Sequence, residues 1–304
     1  MHSPKTPEPS GAGVFVLSIL DPLLDPKKPY NLKKDSSHLL LLALSKRGYS
    51  LFTADPSGLF FYQGKVCVRA TAITVLPKKP YFQFHKTTIR KAEDFSLIWM
   101  RKDPPVDTSY LYATQLLSLL KKPLVINHPK SLREWNEKLV ILKFPQWIPE
   151  TLVASQRNEI NDFIHVHRGM VLLKPLHGFA GKGVKKIKHI ARSKNQPVML
   201  QEFLPGMRHE KRVFLVGGKI LGALLKLPKK RFSSTKLTWR ETKICKDLCP
   251  FLKKNGIFFA GVDLIDEKLI EINITSPGLL WEWNEVDKTH HEEEIIDLLE
   301  KKLK

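Results

Sequence analysis

Hydrophobic positions in the first part of the chain form short strand-like runs separated by helical segments. The apolar run Val14–Leu20 predicts a buried strand, and the N-cap residues Asp35-Ser36-Ser37 introduce a helix over 38–46 that ends near Gly48. Further strands are predicted over 49–53, 59–62, 65–71, 96–100 and 124–126, and a further helix over 110–120. This alternation predicts an α/β sheet with parallel pairing, in which ligands bind beyond the carboxyl ends of strands.

After residue 130 the pattern predicts a mixed region with antiparallel hairpins. The dipeptide Gly217-Gly218 between two apolar runs is a hairpin signal. Helices are predicted over 132–142, 159–167 and 291–302, with another ending at Asn255-Gly256. Strands are predicted over 170–174, 198–203, 211–216, 219–227, 257–264 and 268–272.

Three oxygen-bearing side chains on the last predicted hairpin form the strongest candidate site. Glu271 and Asn273 are two positions apart, so they share one face of a strand, and Asp263 lies on the strand before it. Carboxylate and amide oxygens are hard ligands that suit Mg²⁺ bound to nucleotide phosphates. From spacing alone, polar residues on the solvent face of a hairpin explain the pattern equally well.

Two further segments carry positive charge or glycine. Lys174 ends a predicted strand and precedes Gly178, Gly181 and Gly183, where backbone N–H groups can approach phosphate oxygens closely. This segment lacks the P-loop spacing, and an ordinary turn is the alternative. Lys138 lies on the predicted helix over 132–142, and Arg212 lies at the start of a predicted strand. Each of them is either a solvated surface residue or a contact to a phosphate.

The chain of 304 residues has a formal net charge of +20 and a pI near 9.8. Its lysines occur as scattered pairs without interleaved aromatic residues, which favours a solvated basic surface over a nucleic-acid site. Only three cysteines occur, so there is no disulfide framework, and no apolar run reaches the roughly 18–20 residues of a membrane span. We therefore expect a cytoplasmic protein.

Taken together, the motifs resemble bacterial glutathione synthetase, a family of the ATP-grasp superfamily, in a collinear match from about Asp21 to Asp287. The string Met100-Arg101-Lys102-Asp103-Pro104-Pro105 is the most specific of them. The others are Asn31–Ser37, Tyr112-Ala113-Thr114, Asn127–Arg133, Asn136–Leu139, Pro149–Val153, Leu173–Leu176 and Glu271–Pro277.

The resemblance implies an α/β chain with a loose tail over 1–12, an N-terminal substrate-binding domain over 13–128 and an ATP-grasp domain over 129–304. The latter divides into an ATP-binding lobe, about 140–203, and a C-terminal metal-binding lobe, about 204–304. The implied reaction joins γ-glutamylcysteine to glycine through an acyl phosphate, with ATP and Mg²⁺ or Mn²⁺ as cofactors and a homotetramer as the assembly. The resemblance assigns the following residues: Lys138, Lys174, Gly178, Gly181, Gln201, Glu202, Phe203, Leu204 and Glu210 to ATP; Arg212 and Lys226 to catalysis; Asp263, Glu271 and Asn273 to metal; Asp35, Arg101 and Ser276 to the peptide substrate.

The chain departs from the family pattern between Pro228 and the next helix. The family has a Gly-rich loop there, whereas this chain has a shorter segment, 229–236, without glycine. Lys226 and Trp281 each stand where the family has an arginine. A ligase for a different acid and amine, a nucleotide-binding paralogue with impaired catalysis, and a nucleic-acid-binding protein are therefore alternatives. Substrate-dependent ADP release and the salt dependence of nucleic-acid binding distinguish them.

Overall fold

The computed structural model describes residues 14–19, 35–102, 106–177, 181–189, 196–204 and 209–304. The predicted residues Gly178, Asp103, Pro104 and Pro105 lie outside these ranges, as does the whole predicted tail, 1–12. The described helices are α1 (Ser36–Lys46), α2 (Thr108–Leu117), α3 (Pro129–Glu134), α4 (Arg157–Val166), α5 (Trp239–Lys254), α6 (Leu280–Asp287) and α7 (His291–Leu303). The described strands are β1 (Phe15–Ile19), β2 (Ser50–Ala54), β3 (Leu59–Tyr62), β4 (Lys65–Val75), β5 (Phe82–Lys91), β6 (Leu97–Met100), β7 (Leu124–Ile126), β8 (Thr151–Ala154), β9 (Val171–Pro175), β10 (Lys185–Ile187), β11 (Val198–Glu202), β12 (Glu210–Val216), β13 (Lys219–Leu227), β14 (Arg231–Ser234), β15 (Phe259–Ile265) and β16 (Lys268–Asn273).

The first sheet combines a parallel centre with an antiparallel edge. Its strand order is β3-β4-β2-β1-β6-β7, with β5 added to β4. β1 pairs in parallel with β2 and β6, and β6 pairs in parallel with β7. Val16, Leu17 and Ile19 in β1 are fully buried, as expected for a strand covered on both faces. The predicted parallel α/β region is therefore confirmed.

Two antiparallel sheets follow along the chain. The smaller has the order β10-β9-β11-β8, and α4 packs Ile160 and Ile164 against its apolar face. The larger has the order β14-β13-β12-β15-β16. Helix α5 packs Ile244 and Leu248 into the same apolar cluster as Val213 of β12, which covers one face of the larger sheet. The other face of the larger sheet is directed toward the first sheet and the candidate site. No helix in the described ranges combines the length and hydrophobicity that a membrane crossing requires.

The predicted helix over 132–142 is wrong. Helix α3 ends at Glu134, and residues 136–139 form a turn instead. The Asn136 side-chain oxygen accepts hydrogen bonds from the backbone N–H groups of Lys138 (2.9 Å) and Leu139 (3.3 Å). The Glu137 carbonyl accepts one from the backbone N–H of Ile272 in β16 (3.0 Å). These tertiary and local hydrogen bonds replace the helical ones that the apolar spacing predicted.

Gly222 in β13 allows close packing between the larger sheet and α6. The indole of Trp283 stacks between Phe214 (centroids 4.3 Å apart) and His291 (3.4 Å). A Cβ atom at Gly222 would lie 2.4 Å from Cζ2 of Trp283. We expect Gly222→Ala to lower the free energy of unfolding by about 1–3 kcal/mol, because Trp283 is fully buried and must shift. Urea denaturation measures this, and Gly278→Ala, where an added Cβ meets no atom within 4 Å, is the control.

Candidate functional site

A cavity of about 1000 Å³ lies between the smaller and the larger antiparallel sheets. Apolar side chains such as Leu172, Val184 and Leu204 line one part of it. Cationic and anionic side chains line the rest. The predicted site residues on this lining are Lys138, Lys174, Gly181, Gln201, Glu202, Leu204, Glu210, Arg212, Lys226, Asp263, Glu271, Asn273 and Ser276.

Strand register brings the polar residues of the larger sheet onto one face. Arg212 in β12 is directly opposite Asp263 in β15, and Asp263 is opposite Glu271 in β16. Directly opposed residues in antiparallel strands project to the same side. A Cβ atom at Gly261 would lie 2.8 Å from Nη1 of Arg212, so this glycine gives the guanidinium room to lie flat over β15.

Arg212 and Lys226 hold Asp263 in a buried ion network. The Arg212 Nε and Nη2 atoms donate to the two carboxylate oxygens of Asp263 at 2.5 and 2.7 Å. Lys226 Nζ donates to Oδ1 of Asp263 at 3.1 Å and also to Glu210. Burial alone would raise the pKa of Asp263, but the charges of Arg212 and Lys226 hold that pKa well below its usual range. Burial and the charge of Asp263 raise the pKa of Glu210.

Glu271 is a carboxylate crowded by other negative charges. Burial, Glu137 and Asp263 together raise its pKa to about 7, although Lys138 and Arg212 act in the opposite direction. Asn273, two positions further along β16, also lines the cavity. A divalent cation held by Glu271 and Asn273 would neutralise this crowding, and both residues offer hard oxygen ligands. The three hydrogen bonds to Asp263 leave about one of its roughly four lone-pair positions open.

Two lysines face the carboxylates of the larger sheet. Lys174 of β9 donates to the side-chain oxygen of Gln201 at 2.5 Å, and Gln201 donates in turn to Thr151 at 3.0 Å. Lys138 forms an ion pair with Glu137. Burial lowers the pKa of Lys174 to about 8, and the charge of Lys138 adds to this, although nearby carboxylates, chiefly Glu271, act in the opposite direction. Lys174 is therefore charged at neutral pH, and its hydrogen-bond partner in the described residues is the neutral amide of Gln201.

Lys174→Met is expected to weaken ATP binding while raising the stability of the ligand-free protein. The native pKa of Lys174 is depressed, so its protonated form opposes folding below about pH 8, and this cost disappears as pH rises toward the unfolded pKa near 10.5. Leaving Gln201 unpaired offsets part of the gain, so we expect a net increase of about 1 kcal/mol at pH 7. Wild-type ATP affinity should fall above about pH 8, whereas that of Lys174→Met should not. Urea denaturation and ATP calorimetry from pH 6.5 to 9.5 measure both effects.

Residues 201–204, at the end of β11, line the cavity unevenly. Gln201, Glu202 and Leu204 border it. Phe203 is not part of the lining; its ring lies 4.6 Å from Lys186 Nζ instead. A carboxylate oxygen of Glu202 accepts a hydrogen bond from the backbone N–H of Glu150 (3.2 Å), which restrains it at the edge of the cavity.

The first sheet reaches the candidate site through Arg101. Its Nη2 donates to the Pro277 carbonyl (3.1 Å), next to Ser276 on the cavity wall, and its Nε donates to Ser37 (3.2 Å). Asp35 is the N-cap of α1 and accepts from the Ser37 backbone N–H at 2.6 Å. Arg101 and Asp35 therefore lie beside the cavity rather than on its lining, and Arg101 fixes the turn that carries Ser276.

Sequence reasoning missed several lining residues, including Glu137, Lys182 and Glu282. Lys230 and Phe232 belong to segment 229–236, in which the sequence predicts no strand. In the structure, this segment contains β14, an edge strand paired with β13. Phe232 is the one large apolar residue of this four-residue strand, so the run is too short and too polar to predict a strand from periodicity.

Two family models match the chain. The model described as prokaryotic glutathione synthetase, N-terminal domain, matches residues 20–133, and that of the ATP-grasp domain of the same enzyme matches residues 137–288. A glutathione synthetase from Gloeobacter violaceus is 34% identical, with 93% of this chain and 96% of the relative aligned. A glutathione synthetase from Thermosynechococcus vestitus is 32% identical, with 90% of this chain and 97% of the relative aligned.

Solved structures agree on the fold. D-cycloserine synthetase DcsG matches with a TM-score of 0.67 at 14% identity, over 96% of this chain and 100% of that one. The ATP-grasp ligase PsnB, solved with a phosphomimetic variant of a minimal precursor, Mg and ADP, matches with a TM-score of 0.63 at 16% identity, over 96% and 99%. The predicted ATP-grasp fold is therefore confirmed.

Proposed function

The chain belongs to the prokaryotic glutathione synthetase family, and we propose that it joins γ-glutamylcysteine to glycine with hydrolysis of ATP. Members of this family are ATP-dependent carbon–nitrogen ligases that use a divalent cation. The observation that carries the proposal is the cavity between the two antiparallel sheets, where Lys138 and Lys174 face Asp263 and Glu271. The finer assignments that follow, including the residue roles, Mg²⁺ and the domain boundaries 13–128 and 129–304, are part of the same proposal.

The lining supports a nucleotide with its base in the apolar part and its phosphates over the larger sheet. Leu172, Val184 and Leu204 suit an adenine ring, and the backbone of 201–204 supplies hydrogen-bonding groups beside them. Lys174 suits the phosphates, since its ammonium is charged at neutral pH without an anionic hydrogen-bond partner. The apolar enclosure strengthens these charge interactions relative to water.

The metal assignment rests on Glu271 and Asn273, with Asp263 beside them. Mg²⁺ held by these residues would neutralise negative charge on the group being transferred. Arg212 is fixed by its two hydrogen bonds to Asp263, so its guanidinium presents a constant positive charge to an acyl phosphate without reorganisation. Lys226 has a similar role from the other side of Asp263.

The acid and amine substrates would enter from the side of the first sheet. Arg101 braces the Ser276–Pro277 turn there, which supports a peptide site at this edge of the cavity. Trp281, where the family has an arginine, packs against the apolar cluster that contains Trp283. This difference favours a second candidate, a ligase of the same mechanism whose acid or amine is not that of glutathione synthesis.

Measurement of ADP release with ATP, Mg²⁺, γ-glutamylcysteine and glycine tests the proposal. We expect release that requires both substrates, with glutathione identified by mass spectrometry. ADP release that does not respond to glycine but responds to another amine would support the second candidate. Absence of release under every substrate combination, with ATP still bound, would overturn catalysis and leave a nucleotide-binding paralogue.

A further inference from the structure

Lys230 lies in a tight turn at the edge of the cavity. The turn joins β13 to β14 between the paired residues Leu227 and Arg231. Lys229 and Lys230 both have left-handed backbone angles, with φ of 60° and 56°. Each such angle costs a non-glycine residue about 1–2 kcal/mol, and turns that need it usually contain glycine or asparagine. Lys230 lines the cavity, whereas Lys229 does not.

The other cations of the cavity already have partners. Lys138 pairs with Glu137, Arg212 with Asp263, and Lys226 with Glu210 and Asp263. Lys174 bonds to Gln201, and Lys182 also has an interaction partner. Within the described residues, Lys230 is the lining cation that forms no hydrogen bond or ion pair.

Charge balance at the cavity defines what this lysine can bind. The lining contains six carboxylates and six cations, so the empty cavity is close to neutral. A triphosphate carries more negative charge than one divalent cation neutralises, so the bound complex requires positive charge that is not committed elsewhere. Lys230 supplies such charge on the rim, on the same side of the larger sheet as Lys226.

We propose that Lys230 contacts the terminal phosphate of the bound nucleotide and remains on it during transfer. The inference rests on the proposed function, because it requires ATP in the cavity. It assigns to the β13–β14 turn, which lacks glycine, a role in holding the transferring group. The strained backbone angles place the Lys230 side chain over the cavity, and the side chain rather than the backbone makes the contact.

Calorimetry with Mg-ATP and Mg-ADP on Lys230→Met tests this inference, with Lys229→Met as the matched control on the same turn. We expect Lys230→Met to raise the Kd for ATP about tenfold and that for ADP less than about threefold. The increase in the Kd for ATP caused by Lys230→Met should be smaller at high salt, because the contact lies on an exposed rim of the cavity. Lys229→Met should change neither value by more than about twofold. Lys230→Arg should restore most of the ATP affinity and of kcat for ADP release.

Three outcomes separate this inference from the proposed function. Equal ATP affinities for Lys230→Met and Lys229→Met would overturn the role of Lys230 while leaving the ATP site intact. Equal weakening of ATP and ADP would also overturn it, because the contact would not be with the terminal phosphate. Failure of the wild-type protein to bind ATP would overturn the proposed function itself. Lys230→Gln repeats the neutral substitution if the methionine variant does not fold.

Discussion

Glu271→Gln is expected to lower substrate-dependent ADP release by about 100-fold or more without destabilising the protein. The glutamine keeps the shape of the side chain but removes the charge that would hold a divalent cation beside Asn273. Weaker metal binding leaves the transferring phosphate incompletely neutralised. Titration with Mn²⁺ in the presence of ATP should show the same loss directly.

The stability of the Glu271→Gln variant has a predictable pH dependence. Because the native pKa of Glu271 is raised to about 7, its ionised form opposes folding above that pH, and the cost disappears as pH falls toward its ordinary value. Urea denaturation should therefore show the variant to be more stable than the wild type at pH 8 and about equal to it at pH 4.5. The control is Glu267→Gln, in the turn between β15 and β16 and outside the cavity lining. Retention of ADP release within about tenfold would contradict the metal assignment.

Strand periodicity explains why part of the candidate site is readable from the sequence. Glu271 and Asn273 share a face because they are two positions apart on one strand, whereas Asp263 lies opposite Glu271 because a register shift next to Asp263 alters the pairing that the two-residue turn sets. The first relation depends only on local spacing, whereas the register shift does not follow from it. The bidentate contact of Arg212 with Asp263 depends on the pairing of β12 with β15, about 50 residues apart, which spacing does not encode.

Tertiary hydrogen bonds explain where the sequence is misleading. The apolar spacing of residues 132–142 fits a helix, yet the Asn136 side chain and the Ile272 N–H take the backbone groups that a helix would use. Lys138 consequently reaches the cavity from a turn beside β16 rather than from a helix face. Similarly, β14 forms because β13 offers an edge, although Arg231–Ser234 has only weak strand character of its own.

Arg212→Met is expected to lower the free energy of unfolding by about 3 kcal/mol at pH 7.5, whereas the double variant Arg212→Met/Asp263→Leu should recover most of that loss. The single variant leaves the Asp263 carboxylate, which is 4% exposed, with Lys226 as its remaining cationic partner. The double variant replaces the buried pair with apolar groups of similar size, so no charge remains without its partner.

The pH dependence of Arg212→Met provides a second test, and its sign follows from Asp263. In the wild type, the ion network holds the pKa of Asp263 well below its usual range, so the stability it provides is present above the ordinary pKa and is lost only in strong acid. Without Arg212, burial raises that pKa, and Asp263 becomes neutral in mild acid. The difference in the free energy of unfolding between the single variant and the wild type should therefore become smaller from pH 7.5 to pH 5.

A double variant that is no more stable than Arg212→Met would contradict the buried ion pair as the cause of the lost stability. Neither variant should release ADP, since restoring the packing does not restore the guanidinium that faces the phosphoryl group.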